Sequence, residues 1–257
     1  MTANRSGIQH ENRRVLVVGA SNETGPAVAR AFAAQGARLA LSYCTDRAAA
    51  ETVAGECRAL GAPEAHVFPL DLLDADQCEC FVGGVQEALG GLDILIAVAG
   101  AGGSYRPLLE TSAREMREAF QGQVCGNFTI ARDAARLMPD DGSGRIVFIS
   151  ATSSHKYSHA TYGYAKAALN QLTPFLAYEL AARKITVNTL IPQLIDLPSV
   201  APAMREKRKQ FTPLGLIPSP ELIAEHCLAL CSPAFAIVTG ECYHLDGGYR
   251  LRPPEDR

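Results

Sequence analysis

Tyr162 and Lys166 stand four residues apart at the start of an apolar stretch typical of a helix. Residues at positions i and i+4 share one helix face, so the ammonium group can lie beside the phenol. A phenol has an ordinary pKa of about 10 and is a poor acid–base catalyst near neutral pH. A positive charge about 4 Å away favours the phenolate by roughly 4 kcal/mol at an effective dielectric near 20. The pair therefore predicts either an acid–base centre with a lowered tyrosine pKa or a chance spacing on an ordinary amphipathic helix.

Short β-branched runs alternate with helical stretches along most of the chain. Strands are predicted over residues 15–18, 38–43, 66–70, 93–98, 145–150 and 185–190, and helices over 27–35, 47–60, 74–89, 112–138 and 161–183. Strands this apolar, separated by helices, are typical of a parallel sheet covered on both faces. The pattern predicts an α/β fold with one doubly wound domain over 13–250. Flexible tails are expected at 1–12 and 251–257.

The composition excludes several classes of function. The 257 residues are 47% hydrophobic and carry a net charge of -3, without the basic footprint of a nucleic-acid-binding protein or a polybasic membrane anchor. No segment offers about eighteen uninterrupted apolar residues, and residues 1–12 are polar, so we expect a cytoplasmic protein. The eight cysteines are then expected to be free thiols, and neither close pair has a His or Cys at zinc-site spacing. No metal site is predicted.

The predicted sheet explains how Tyr162 and Lys166 would face a ligand. In doubly wound folds, ligands bind at the carboxyl ends of the strands, where the strand order reverses. The Gly-containing loop after the first strand and Ser150 after the fifth both belong at this edge, and the helix of Tyr162 starts there too. Their common location favours an acid–base centre over a chance spacing.

Several motifs occur in order between about residues 13 and 249: Gly19-Ala20-Ser21-Asn22-Glu23-Thr24-Gly25, Ser150, Tyr162-x-x-x-Lys166, Asn188 and Thr239-Gly240…Asp246-Gly247-Gly248. Together they resemble the short-chain dehydrogenase/reductase family. The resemblance implies a Rossmann-like sheet of about seven strands and an NAD(P)-dependent oxidoreductase that transfers a hydride between nicotinamide and a carbonyl or alcohol carbon. It makes Tyr162 the general acid or base and Lys166 the group that lowers its pKa and binds the nicotinamide ribose. Ser150 would bind the substrate oxygen.

The resemblance also implies which residues bind the cofactor. The set is Gly19, Ser21, Asn22, Gly25, Tyr43, Asp71, Leu72, Ala99, Gly100, Tyr162, Lys166, Pro192, Leu194 and Ile195. After the second strand the chain reads Tyr43-Cys44-Thr45, so no carboxylate opposes a 2′-phosphate at the position that selects NAD. Arg47 or Arg38 would approach that phosphate. NADP is therefore favoured, although NAD is possible. Asp46 lies close to this position, and its carboxylate argues against NADP.

Four positions depart from the family pattern. Glu23 stands where the dinucleotide loop has its middle glycine, and its charge and bulk oppose a diphosphate unless the side chain points to solvent. Gln123 aligns with the Asn of the catalytic tetrad and is assigned its role. Aligning the fifth strand with the family pattern without a gap places Ala151 at the position of the catalytic Ser. A shift of one residue places Ser150 at that position, and Ser150 is chosen. Gln193 replaces the glycine after the sixth strand.

Two alternatives stay open. The filled loop at Glu23 and the segment 192–198 resemble halohydrin dehalogenases of the short-chain fold, which are non-redox lyases. The departures at Glu23 and Gln123 also fit a cofactor-binding protein that has lost catalysis.

The resemblance makes residues 194–211 a substrate lid, and their apolar side chains favour a small-molecule ketone of moderate size, which indicates a ketoreductase. It also implies a homotetramer or homodimer assembled through the long helices after strands four and five.

Overall fold

The computed structural model describes residues 10–21, 23–155 and 160–251. Their seven strands form one parallel sheet in the order β3-β2-β1-β4-β5-β6-β7. The strands are β1 (Arg14–Val18), β2 (Arg38–Tyr43), β3 (Ala65–Pro69), β4 (Ile94–Ala97), β5 (Arg145–Ile149), β6 (Thr186–Pro192) and β7 (Cys242–Leu245). The predicted doubly wound, single-domain α/β fold is confirmed. The strand order reverses between β1 and β4, the place where such folds bind ligands.

Eight α-helices occur in the described ranges and connect the strands. They are α1 (Gly25–Ala33), α2 (Arg47–Ala59), α3 (Ala75–Leu89), α4 (Ala113–Phe120), α5 (Gly126–Leu137), α6 (Ala160–Leu180), α7 (Pro202–Gln210) and α8 (Pro220–Leu230). The helix predicted over 112–138 is two helices joined by a π-helical turn at Gln121–Cys125. Ser112 begins α4 with a capping box, in which its hydroxyl accepts from Glu115 N and the Glu115 carboxylate accepts from Ser112 N.

The two faces of the sheet each support a separate core. Successive strand residues point to opposite faces, so Val15 and Val17 pack on one side while Leu16 and Val18 pack on the other. The first core contains buried residues of α1, α2 and α8, and the second contains those of α3, α5 and α6. This double coverage explains the uninterrupted apolar strands and holds their carboxyl ends in one rigid edge.

The packed part of the chain begins before the predicted boundary at residue 13. His10 is 1% exposed, its ring packs against Phe32, and its Nε2 lies 3.3 Å from Leu228 O. Residues 10–12 therefore belong with the domain and not with a tail. The expectations for 1–9 and 252–257 fall outside the described residues. No helix among those described is both long and apolar enough to cross a bilayer.

Candidate active site

A cavity of about 370 Å³ lies at the carboxyl edge of the sheet. Its walls come from the segments that follow β1, β2, β3, β4 and β5, together with the first turns of α6 and Ile195 beyond β6. The four predicted catalytic residues, Gln123, Ser150, Tyr162 and Lys166, all line it. Residues that are far apart in sequence thus meet at the position that the sheet topology predicts for a ligand.

The Lys166 ammonium lies over the ring of Tyr162. Lys166 is 4% exposed, its Nζ donates to Ile149 O at 3.1 Å, and Nζ is 5.9 Å from the centroid of the Tyr162 ring. Burial lowers the pKa of Lys166 to about 8. Since this value lies above neutral pH, the side chain remains mainly cationic at pH 7.

The pKa of Tyr162 moves in the direction opposite to the one predicted. Burial raises it to about 12, and the charges of Tyr105 and Glu23 add to the effect. The ring of Tyr105 packs on that of Tyr162 with centroids 5.4 Å apart. The prediction that Lys166 lowers this pKa is wrong, because desolvation of the buried phenol is the largest effect and acts in the opposite direction. Tyr162 therefore carries its proton at neutral pH.

Ser150 follows β5 directly and is 5% exposed. Its backbone N donates to Leu190 O at 2.8 Å, and its Oγ lies 3.5 Å from Lys166 O, a long and weak hydrogen bond. Among residues 150–153, only Ser150 lines the cavity. Ser150 is therefore the residue of this segment that can contact a ligand in the cavity.

Gln123 projects from the π-helical turn between α4 and α5. It is 1% exposed, and its Nε2 donates to Gly102 O at 3.1 Å, while its Oε1 accepts no hydrogen bond. A Cβ at Gly100 would lie 1.9 Å from that Oε1, so the glycine leaves room for the amide. Asn127, which the sequence reasoning missed, donates from Nδ2 to Ala99 O at 3.2 Å and to Gln123 O at 3.1 Å. It ties the turn to the segment after β4.

The loop after β1 has glycines where close packing requires them. Gly19 has φ +87°, and a Cβ there would lie 2.5 Å from Ala99 Cβ. Gly25 does not line the cavity, but its Cβ would lie 1.9 Å from Gly19 O, so it lets α1 approach the loop. Ser21 lines the cavity, and the prediction for Asn22 lies outside the described residues.

Glu23 also lines the cavity, and its backbone is left-handed with φ +55°. A non-glycine residue rarely adopts that conformation, which is the conformation a glycine would supply at this point of the loop. Its charge raises the pKa of both Tyr105 and Tyr162, after the larger effect of burial. Glu23 therefore lines the cavity while it stays exposed to solvent, close enough for its charge to act on both tyrosines.

The end of the cavity away from Tyr162 is formed by the segments that follow β2 and β3. Tyr43, Asp71 and Leu72 line it as predicted, and Cys44 and Thr45 join them. Asp71 Oδ1 accepts from Leu73 N at 2.9 Å, which shapes the turn after β3. The adjacent Asp46 and Arg47 do not line the cavity.

Three charged residues near the end of β2 or at its start differ in their distance from the cavity and in their partners. Asp46 Oδ1 accepts from Ala49 N at 2.8 Å and so caps α2. Arg47 begins α2 two residues after Thr45 and is mostly exposed, and its Nη2 lies 3.5 Å from Glu51 Oε1. Arg38 is ruled out as a phosphate ligand, because it begins β2 at the opposite edge of the sheet and pairs with Glu64.

Only part of the predicted set after β6 reaches the cavity. Ile195 lines it, whereas Pro192 and Leu194 do not. Between Pro192 and Leu194 lies Gln193, a buried residue whose Nε2 donates to Thr212 Oγ1 at 3.1 Å and to Leu216 O at 2.9 Å. These bonds fasten the chain after β6 to the segment that follows the predicted lid.

The cavity has the features that a dinucleotide requires along most of its length. Glycine backbone is exposed at Gly19 and Gly100, where a ligand can approach closely. Two buried oxygens, Thr24 Oγ1 and Gln123 Oε1, have no hydrogen-bond partner among the described residues and can accept from a ligand or a bound water. The N-terminus of α1 points its partial positive charge to this region. The residues present fit the group, with Glu23 as the exception.

Comparisons with known proteins agree with the site. A family profile described as "Enoyl-(Acyl carrier protein) reductase" matches residues 19–250. The galactitol 2-dehydrogenase (L-tagatose-forming) of Cereibacter sphaeroides is 34% identical over 91% of this chain and 94% of its own length. A 3-oxoacyl-(acyl-carrier-protein) reductase of Aquifex aeolicus is 29% identical over 94% and 98%. A blue fluorescent protein from a metagenomic library, solved in complex with NADPH, superposes with a TM-score of 0.85 at 28% identity, covering 94% of this chain and 99% of that one.

Proposed function

Because the chain belongs to the short-chain dehydrogenase/reductase family and resembles a dehydrogenase and a reductase along nearly its whole length, we propose that it transfers a hydride between a nicotinamide dinucleotide and a small ketone or alcohol. The observation that carries the proposal is the single cavity in which Ser150, Tyr162 and Lys166 meet the loop after β1. A bound nicotinamide would supply or accept the hydride.

The residues of the cavity provide the proton chemistry. In the direction of reduction, Tyr162 donates its phenolic proton to the carbonyl oxygen of the substrate as negative charge develops there. Ser150 donates a hydrogen bond to the same oxygen. The ammonium of Lys166, 5.9 Å from the centroid of the Tyr162 ring, is the positive charge nearest to the tyrosinate that is left, and its pKa of about 8 keeps it cationic at neutral pH. Gln123 holds the adjoining loop through Gly102 and offers Oε1 as an acceptor.

The cofactor is proposed to be NADP. At the end of β2 the cavity is lined by Tyr43, Cys44 and Thr45, which carry no carboxylate, and Asp46 is engaged in capping α2. Arg47 is the exposed cation nearest in sequence to this wall, so it is the proposed contact for a 2′-phosphate. The NADPH-bound relative with a similar fold supports this choice.

The test is a calorimetric titration with NADPH and NADH, followed by NADPH consumption with a panel of cyclic and acyclic ketones. We expect NADPH to bind more tightly than NADH and at least one ketone to be reduced. The Arg47→Ala variant should lose NADPH affinity but not NADH affinity. Absence of binding of either dinucleotide at millimolar concentration would refute the proposal.

The two alternatives gain less support from the geometry. A halide pocket would place an anion in the filled loop, where Glu23 lines the cavity and its negative charge opposes the anion. A protein without catalysis would not need Ser150, Tyr162 and Lys166 at one wall. The proposed oxidoreductase mechanism gives a role to all three side chains.

We also propose that the protein assembles as a homotetramer or homodimer through α5 and α6. Phe128 on α5 is 37% exposed, and Phe175 and Tyr178 on α6 are 69% and 86% exposed. Aromatic side chains exposed in this way are typical of protein interfaces. Sedimentation should show a species larger than the monomer, and Tyr178→Glu should dissociate it. A wild-type monomer at micromolar concentration would contradict the assembly. The cytoplasmic location stays a prediction.

A further inference from the structure

In the loop after β1, Glu23 carries a negative charge at the place where the diphosphate of the proposed cofactor would bind. Glu23 lies three residues before Pro26, and Thr24 between them is the N-cap of α1. It lines the cavity between the loop of Gly19 and the ring of Tyr162. A helix N-terminus attracts anions, so this carboxylate occupies the field that a diphosphate would use.

The ionised side chains of the cavity do not compensate for Glu23. Of the described residues that line it, Glu23 and Asp71 are acidic and Lys166 is the one cation. The ammonium of Lys166 is already bonded to Ile149 O. A nicotinamide dinucleotide, which is itself an anion, therefore enters a cavity whose side chains carry a net negative charge.

The N-terminus of α1 also offers few hydrogen-bond donors to an anion. Pro26, in the first turn, has no backbone N–H and removes one of the few groups that would point at a phosphate. Thr24 provides a hydroxyl, but it makes no capping bond to the helix. Attraction from the backbone is thereby reduced while the repulsion from Glu23 is present.

We propose that Glu23 determines the dinucleotide affinity of this protein by repelling the diphosphate, so that the wild-type chain binds NADP(H) weakly and releases it readily. This inference rests on the proposed function, because it needs a nicotinamide dinucleotide as the ligand. Like charges about 6 Å apart at an effective dielectric near 20 weaken binding by roughly ten- to a hundredfold. The glycine usual at this position avoids both the charge and the strained backbone.

The experiment separates charge from shape with two variants of the same residue. Glu23→Gln keeps the side-chain size and removes the charge, while Glu23→Gly removes both. Glu87→Gln, at an exposed position near the end of α3, is the control for the change in net charge. Calorimetry suits this chain because it has no tryptophan to report binding by fluorescence. The ligands are NADPH, NADP⁺ and 2′-AMP, the last of which has no diphosphate.

We expect Glu23→Gln to tighten NADPH and NADP⁺ binding by about tenfold or more and to leave 2′-AMP within about twofold, with Glu87→Gln unchanged for all three. Equal NADPH affinity in wild type and Glu23→Gln, with binding present in both, would overturn the role of Glu23 and leave the proposed function intact. A change in melting temperature without a change in affinity would do the same, because it indicates a purely structural role. Absence of NADPH binding in the wild type and in both Glu23 variants would overturn the proposed function and the inference with it.

Discussion

Replacing Lys166 with Met should stabilise the fold at neutral pH while abolishing turnover. The Lys166 side chain is buried, at 4% exposure, and burial lowers its pKa from 10.5 to about 8. A difference of that size corresponds to about 3 kcal/mol against folding whenever the lysine is charged in both states. Met retains most of the apolar stem but loses the bond from Nζ to Ile149 O, which contributes about 1 kcal/mol. The expected net gain is therefore about 2 kcal/mol at pH 7.

The pH dependence of this gain is its most specific feature. Between pH 8 and 10.5 the unfolded chain keeps the Lys166 proton while the folded chain has lost it. The unfolded state then binds more protons, so wild-type stability rises with pH across this window. The Met variant has no such rise. Its advantage should shrink through the window and reverse to a deficit of about 1 kcal/mol above it, when only the lost hydrogen bond remains.

The assay is urea unfolding of both proteins from neutral pH to about pH 10, with stability differences taken at each pH. Lys207→Met is the control, since Lys207 is exposed on α7 and its replacement should give a difference that does not vary with pH. NADPH consumption measures turnover in parallel. A variant less stable than wild type at pH 7, or a stability difference that stays flat between pH 8 and 10, would refute the assigned burial of a charged amine.

Three further changes test other parts of the site. Tyr162→Phe should lower turnover by about a thousandfold or more and leave NADPH affinity within about threefold. Tyr164→Phe, on the exposed face of the same helix, is the control and should retain activity. Retained activity in Tyr162→Phe would assign the proton to another group. Gly25→Ala should destabilise the fold by about 2 kcal/mol in urea titrations, because its Cβ would lie 1.9 Å from Gly19 O, and an unchanged midpoint would contradict that packing. Glu23→Gly should stabilise the fold by up to about 1 kcal/mol in thermal melts by relieving the left-handed backbone, and a lower melting temperature would show that Glu23 supports α1 more than it strains the loop.

The fold was largely predictable because its signals are local. Apolar runs bounded by glycine and capping residues marked the strands and most helices, and the order of motifs placed Ser150, Tyr162 and Lys166 at one edge. The strand β7 was not identified from its residues, because its four residues are only half-buried and show no distinct pattern. The π-helical turn was missed for a related reason, since a π turn differs from an α-helix in hydrogen bonding and not in composition.

What the sequence could not provide was the direction of side chains across the cavity. The bond from Lys166 to Ile149 O joins residues 17 positions apart, and no periodicity predicts it. The ring of Tyr105 on Tyr162 depends on the path of a glycine-containing loop after β4. The place of Glu23 was left open for the same reason, and the structure puts it at the cavity wall, near enough for its charge to act on Tyr162.

Glu23 links the proposed binding of the cofactor to the chemistry of Tyr162. Its charge raises the pKa of the phenol in the same sense as burial, which is the larger cause. The protonated phenol is the form needed to reduce a carbonyl, whereas oxidation of an alcohol needs the phenolate. In the proposed reductase, the same carboxylate would oppose the diphosphate of the cofactor. One residue in place of a glycine would then favour both the acid form of Tyr162 and the release of the dinucleotide, and both effects suit a reductase that exchanges its cofactor in every cycle.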